Sequence, residues 1–166
     1  VNTLSKDYVE AEWAKATDYN NSLTGDPVKD PFVPGSGRAL PQNYLNVLDA
    51  DGVMCYIEIP SIGVNLPVYH SVSDEVLAKG VGHMEGTALP IGMKGGNALL
   101  TGHTGLPSAK LFTDLDKMKM GERFYIHILG KELVYEVDDI KVIEPSYISD
   151  LRAYADKDYV TLLTCT

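Results

Sequence analysis

The sequence predicts a mainly β fold with a helical N-terminal arm. The chain has 166 residues, of which 45% are hydrophobic and 22% charged, an ordinary composition for one soluble globular domain. Hydrophobic alternation of period two recurs in short segments after residue 53, whereas helical periodicity is concentrated near the N-terminus. Short strands joined by loops, with little helix after residue 80, favour a closed barrel or a sandwich.

Charge and cysteine content exclude several classes of function. Asp and Glu outnumber Lys and Arg by 23 to 14, for a net charge of −9, so we expect no nucleic-acid surface. Two cysteines are too few for a disulfide framework, and no Cys/His spacing resembles a zinc site. No apolar run is long enough to span a bilayer. We expect neither a metal nor a cofactor.

The N-terminal region divides into a helix and a long loop. Residues 3–23 are predicted to be helical, with an apolar stripe that recurs at helical spacing (Val9, Trp13 and Ala16, widened by Leu4, Tyr8 and Ala11). Four prolines and three glycines then interrupt every periodic pattern over residues 24–41. A loop of this length in a compact domain is uncommon and is often functional.

The remaining elements follow from alternation and turn residues. Cys55, Ile57 and Ile59 share one face of the first strand, which begins near Met54, so Cys55 is predicted to lie in the core. Gly130-Lys131 is predicted to form a type II′ turn between two strands. The predicted strands are 64–69, 97–101, 123–129, 132–143 and 159–165. A brief helix is predicted over 72–79, a glycine-rich stretch over 80–96, helical turns over 106–118 and a polar connection over 144–158.

Two residues stand where catalytic groups are commonly presented. His103 follows the apolar strand 97–101 and is flanked by glycines, and Cys165 ends the strand 159–165. Two strand ends can meet at one rim of a barrel, and a thiol beside an imidazole supports acyl transfer. The imidazolium favours the thiolate and can protonate an amine leaving group. No third partner can be named from the chain.

Structural interpretations of the same residues remain open. A strand cysteine can be a buried small hydrophobe, and a histidine after a strand can be structural. A non-catalytic surface β-module and a Cys55–Cys165 disulfide are therefore alternatives. His70, His83 and His127 lack a partnering pattern and are interpreted as structural or surface residues.

Local motifs resemble those of one enzyme family. Thr161-Leu162-Leu163-Thr164-Cys165 resembles the active-site strand of sortases, the cysteine transpeptidases of Gram-positive cell surfaces. The segment from Thr101 to Phe112 resembles the histidine region of class C, pilus-assembling sortases, and further likeness lies at 57–60, 80–83 and 158–160. The resemblance implies a sortase-type closed β-barrel over residues 53–166, an N-terminal helical arm over 1–23, and a lid loop and connection over 24–52.

The resemblance implies a reaction and the residues that perform it. Cys165 would be the nucleophile and His103 the general acid/base in cleavage of a Leu-Pro-x-Thr-Gly-like sorting signal between Thr and Gly. The thioester on Cys165 would then be resolved by a lysine amine of another pilin subunit. Thr164 and Leu106 would bind substrate. The alternative is a cysteine endopeptidase that uses the same dyad with water as the acceptor.

The resemblance also gives the long loop a role and the protein a location. Asp30-Pro31-Phe32 resembles the class C lid, an Asp-Pro-aromatic tripeptide that covers the active site. The expected partners are pilin subunits with a sorting signal and an acceptor lysine. The protein would be a monomer on the outer face of a Gram-positive cell membrane, anchored by segments outside this sequence.

One departure from the family pattern concerns arginine. Sortases use an arginine on the strand after the cysteine strand, and neither Arg38, Arg123 nor Arg152 lies at that position. The sequence ends one residue after Cys165, so the final barrel strand of the family is missing from it. We expect this 166-residue polypeptide alone to be inactive or nearly so.

Overall fold

The computed structural model describes residues 5–23, 44–104, 111–144 and 157–164. These residues contain two α-helices, three short 3-10 helices and one seven-stranded sheet. The elements are α1 (Lys6–Ser22), β1 (Val53–Ile59), β2 (Val64–His70), α2 (Asp74–Leu77), β3 (Val81–His83), β4 (Gly96–Thr101), β5 (Arg123–Ile128), β6 (Lys131–Glu136) and β7 (Asp158–Leu163). Among the described residues, no helix has the length and apolar character needed to cross a membrane.

The sheet has the strand order β6-β5-β1-β2-β3-β4-β7. The pairs β2–β3 and β4–β7 are parallel, and the other four pairs are antiparallel. The two edge strands lie close to each other. The Tyr135 hydroxyl on β6 donates a hydrogen bond to Asp158 Oδ1 on β7 at 2.9 Å. The sheet therefore curls into a nearly closed barrel, and the predicted mainly β barrel with few helices is confirmed.

The alternation predicted for β1 is confirmed. Cys55, Ile57 and Ile59 are buried in the main core, whereas Tyr56 is 49% exposed. Cys55 is a free thiol, so the disulfide considered above is not formed. Complete burial raises the pKa of the Cys55 thiol far above its ordinary value. Cys55 is therefore an inert core residue.

Helix α1 is held to the barrel by polar contacts as well as by its apolar face. The Asn20 side chain accepts from the Leu89 N–H at 2.8 Å and donates to the Leu89 carbonyl at 3.3 Å. Ala16 and Tyr19 are buried. The predicted widening of the stripe was wrong for Tyr8 and Ala11, which are exposed, because the buried face runs through Tyr19 instead.

The turn between β5 and β6 differs from the predicted one. Ile128 pairs with Lys131, so the two turn residues are Leu129 and Gly130. Both have positive φ, 49° and 76°, which fits a type I′ turn and not type II′. Strand β6 also ends at Glu136 rather than at 143, since the apolar residues that extended the pattern, Ile140 and Val142, are exposed.

A buried polar network lies where the sequence showed only a glycine-rich stretch. His83 is fully buried on β3; its Nε2 donates to the Ala88 carbonyl at 2.7 Å, and its Nδ1 accepts from the Tyr44 hydroxyl at 2.8 Å. The Tyr44 hydroxyl also accepts from the Ser71 N–H at 3.0 Å. Burial lowers the pKa of His83 to about 4.

The other two histidines also have the predicted structural or surface character. His70 is buried, and its Nε2 donates to the Val47 carbonyl at 2.6 Å. His127 is half-exposed, with its Nε2 2.9 Å from Glu58 Oε1. The interpretation of His70, His83 and His127 as structural or surface residues is confirmed.

The neutral His83 makes stability depend on pH. Unfolding returns its pKa from about 4 to the ordinary 6.5, so the unfolded chain takes up the proton first as the pH falls. This histidine therefore lowers the free energy of unfolding as the pH falls from 6.5 to 4, by about 3 kcal/mol in total. Urea unfolding across this pH range measures the free energy of unfolding, and an NMR titration of the His83 ring measures its pKa. A ring that protonates near pH 6.5 in the folded protein contradicts the assignment.

The Asn20 contact with Leu89 can be tested by an isosteric change. Asn20→Asp keeps an acceptor for the Leu89 N–H but directs a carboxylate oxygen at the Leu89 carbonyl in place of the donor. We expect a loss of about 1–3 kcal/mol in the free energy of unfolding. Asn21→Asp is the matched control, because Asn21 is exposed. Equal unfolding free energies for the two variants contradict a docking role for Asn20.

Candidate active site

The site lies where β4 and β7 end side by side. These strands pair in parallel, from Gly96 opposite Asp158 to Thr101 opposite Leu163. Parallel strands point the same way, so their carboxyl ends lie at the same edge of the sheet. The residues that follow Thr101 and Leu163 therefore emerge together.

Gly102 continues the pairing past the last residue of β4. Its N–H donates to the Leu163 carbonyl at 3.1 Å, and its own carbonyl accepts from Thr164 Oγ1 at 2.8 Å. The second of these bonds joins residues that are 62 apart in sequence. Both polar groups of the Gly102 residue are thus held by the end of β7.

His103 follows Gly102 and is partly buried. Its carbonyl accepts from the Phe112 N–H at 3.0 Å. Phe112 is fully buried in the main core, and its ring packs directly on Gly102, where a Cβ atom would lie 2.6 Å from two ring carbons. Glycine is therefore required before His103, because any side chain there would displace Phe112.

An apolar cluster lies beside the two strand ends. Its buried members are Val72, Leu77, Met84 and Leu99, and the partly buried Val76 and Leu163 pack against them. Leu163 is the last residue of β7. The site is therefore flanked by hydrocarbon, a surrounding that limits the access of water.

The structure describes only part of the predicted site. His103 and Thr164 are placed as above, whereas Cys165, Leu106 and the predicted lid (Asp30, Pro31 and Phe32) lie outside the described residues. Arg123 begins β5 and pairs with Glu136, and Arg38 and Arg152 also fall outside the described residues. Within the described residues, no cluster of His, Cys, Asp and Glu could hold a metal ion.

Sequence reasoning missed two features that support the site. The packing of Phe112 on Gly102 joins residues that no periodic pattern relates. No sequence pattern indicated the link from Thr87 to β4 either. Thr87 Oγ1 accepts from the Leu99 N–H at 3.3 Å and lies 3.1 Å from His83 Nε2. The available signal was the glycine immediately before His103, which marks a close backbone approach.

Comparisons with known proteins give the family. A family model described as "Sortase domain" matches residues 57–166. The chain is 30% identical over 118 residues to Sortase A of Bacillus anthracis, covering 71% of the chain and 54% of that protein. It is 26% identical over 151 residues to Sortase D of Bacillus subtilis (strain 168), covering 91% and 66%. The chain spans about half the length of the sortase A relatives that it matches.

Solved structures give a narrower resemblance. The fold matches sortase C-1 of Streptococcus pneumoniae with a TM-score of 0.88 and 44% identity, over 99% of this chain and 84% of that one. It matches Group B Streptococcus Pilus Island 1 Sortase C2 with a TM-score of 0.89 and 41% identity, over 98% and 90%. The chain therefore belongs to the sortase family, and the solved structures that it resembles are class C pilus sortases.

Proposed function

We propose that this protein is a cysteine transpeptidase with Cys165 as nucleophile and His103 as general acid/base. One observation carries the proposal: Gly102, which precedes His103, accepts a hydrogen bond from Thr164, which precedes Cys165. His103 and Cys165 are each the next residue in the chain after one partner of this hydrogen bond. Membership of the sortase family supports the same assignment. Residues 53–166 form the catalytic domain in this proposal.

The reaction proceeds by two acyl transfers. The Cys165 thiolate, favoured by the His103 imidazolium, attacks the threonine carbonyl of the substrate peptide. The C–N bond to glycine breaks, and His103 donates its proton to the departing amine, leaving a thioester on Cys165. An amine then attacks the thioester carbonyl and gives its proton to His103. The Cys165 thiolate leaves as the new amide bond forms. The net change exchanges one amide bond for another.

The choice of acceptor depends on keeping water away from the thioester. Leu163, the last residue of β7, packs against the apolar cluster, and an apolar surrounding slows hydrolysis of a reactive acyl group. This surrounding favours a transpeptidase over a hydrolase with the same dyad. Leu106, three residues after His103 in sequence, belongs to the substrate-binding surface in this proposal.

The substrate and the location follow from the class C resemblance. Two of the similar solved structures are described as sortases of a Group B Streptococcus pilus island. We propose that this protein likewise cleaves a Leu-Pro-x-Thr-Gly-like signal and joins it to a lysine amine of a second pilin subunit. It works as a monomer at the outer face of a Gram-positive cell membrane, to which parts of the protein outside residues 1–166 anchor it.

Asp30-Pro31-Phe32 forms a lid over the site in this proposal. Proline stiffens the backbone on both sides of Phe32, and an aromatic ring in a proline-rich loop gains from burial in a substrate groove. The lid would shield Cys165 from solvent when no substrate is bound.

The dyad is tested by trapping the acyl enzyme. Residues 1–166 alone are expected to be inactive or nearly so, so the test uses a chain extended by the final strand and arginine of the family. A peptide with the sorting signal should add its acyl fragment to that chain, and intact mass should show the thioester. Cys165→Ala should abolish the adduct, and His103→Ala should slow its formation by about 10²–10⁴-fold.

The second cysteine supplies the control for this test. Cys55→Ala should still form the adduct, because that thiol is buried in the core. An adduct that persists in Cys165→Ala contradicts the assignment of the nucleophile. Products formed with a pilin lysine, compared with those formed in water alone, separate a transpeptidase from an endopeptidase.

The lid is tested by the rate of thiol alkylation. Replacing Asp30 and Phe32 together with alanine should speed the reaction of Cys165 with iodoacetamide several-fold, because the thiol loses its cover. Val28→Ala, an apolar change in the same segment, should leave the rate unchanged. A double variant that reacts at the wild-type rate argues against a lid.

A further inference from the structure

Thr164 makes a contact that its assignment to the substrate surface does not explain. Its hydroxyl donates to the Gly102 carbonyl at 2.8 Å. The last paired residues of the two strands are Thr101 and Leu163, so this side-chain bond extends the pairing one residue beyond the ladder. It joins the residue before Cys165 to the residue before His103.

The acceptor of this bond is itself fixed. The Gly102 N–H is held by the Leu163 carbonyl at 3.1 Å, and the Phe112 ring blocks movement of Gly102 towards the core. The Phe112 N–H also donates to the His103 carbonyl at 3.0 Å. The imidazole-bearing segment is therefore braced from the core side, and Thr164 ties the end of β7 to this brace.

Thr161 shows what an ordinary threonine of the same strand does. Its hydroxyl donates to Asn97 Oδ1 at 2.7 Å, near the start of β4. That bond lies between side chains and does not involve the peptide next to His103. Thr161 therefore provides a matched comparison: the same residue type on the same strand, also bonded to the β4 segment, but remote from the proposed dyad.

We infer that Thr164 is a positioning residue, whose hydroxyl sets the separation of Cys165 and His103. The inference rests on the proposed function. It adds a residue that determines how readily the thiolate–imidazolium pair forms. The attraction between two charges falls as their distance grows, and a displacement of about 1 Å can reduce a rate by about 10²-fold. Loss of the hydroxyl should therefore weaken thiolate formation while leaving the fold in place.

The experiment measures the alkylation of Cys165 by iodoacetamide as a function of pH, with the modified cysteine identified by peptide mass. An isolated thiol has a pKa of about 8.5, whereas a thiol paired with an imidazolium reacts at lower pH. Thr164→Val removes the hydroxyl at nearly constant volume, and Thr164→Ala serves the same purpose if valine is not accommodated. Thr164→Ser restores the hydroxyl, and Thr161→Val is the control. Thermal unfolding of each variant checks its fold.

We expect Thr164→Val to move the alkylation profile towards that of an isolated thiol, with rates near pH 7 reduced about 3- to 10-fold. Thr164→Ser and Thr161→Val should keep the wild-type profile. An unchanged profile in Thr164→Val, or an equal change in Thr161→Val, overturns the inference. A higher Kd for the peptide with an unchanged profile also overturns it, and assigns Thr164 to substrate binding alone.

His103→Ala separates this inference from the function on which it rests. If His103→Ala leaves the wild-type profile of Cys165 unchanged, no thiolate–imidazolium pair exists and both proposals fail. If His103→Ala shifts the profile and Thr164→Val does not, only the positioning role fails.

Discussion

The parallel pairing of β4 with β7 is the constraint on which the site depends. It aligns Thr101 with Leu163, and the hydrogen bonds of Gly102 carry the alignment past the ends of both strands. The barrel contributes rigidity to this edge, because β4 also pairs with β3 on its other side. In the proposed function, His103 and Cys165 follow this edge directly and need little further ordering before they react.

A second set of interactions supports β4 from behind. On β3, His83 Nδ1 accepts a hydrogen bond from the Tyr44 hydroxyl, and His83 Nε2 lies 3.1 Å from Thr87 Oγ1. Thr87 Oγ1 also accepts from the Leu99 N–H on β4. A buried network of this kind is satisfied only in one arrangement, and so specifies the position of its members. The segment that precedes β1 thereby bears on the strand that leads to His103.

Much of the fold followed from local patterns. The alternation of Cys55, Ile57 and Ile59 gave β1, and the strand ends before His103 and Cys165 gave the two proposed reactive residues. Local patterns did not predict one short strand, one turn type and one contact between residues that are distant in sequence or join different elements. β3 is too short for any period to be visible, Leu129 occupies a turn position normally filled by Asn or Asp, and Phe112 meets Gly102 only through the folded core.

The sequence separation of the paired strands has a kinetic consequence. Gly102 and Thr164 are 62 residues apart. Bringing them together costs chain entropy before their contacts stabilise the structure, and such non-local pairings form slowly. The hairpins β1–β2 and β5–β6 are local and need no such closure. The edge that leads to His103 therefore forms only once a non-local pairing has closed, as the β1–β5 pairing also must. In the proposed function, a chain that has not yet formed this edge carries an unactivated thiol.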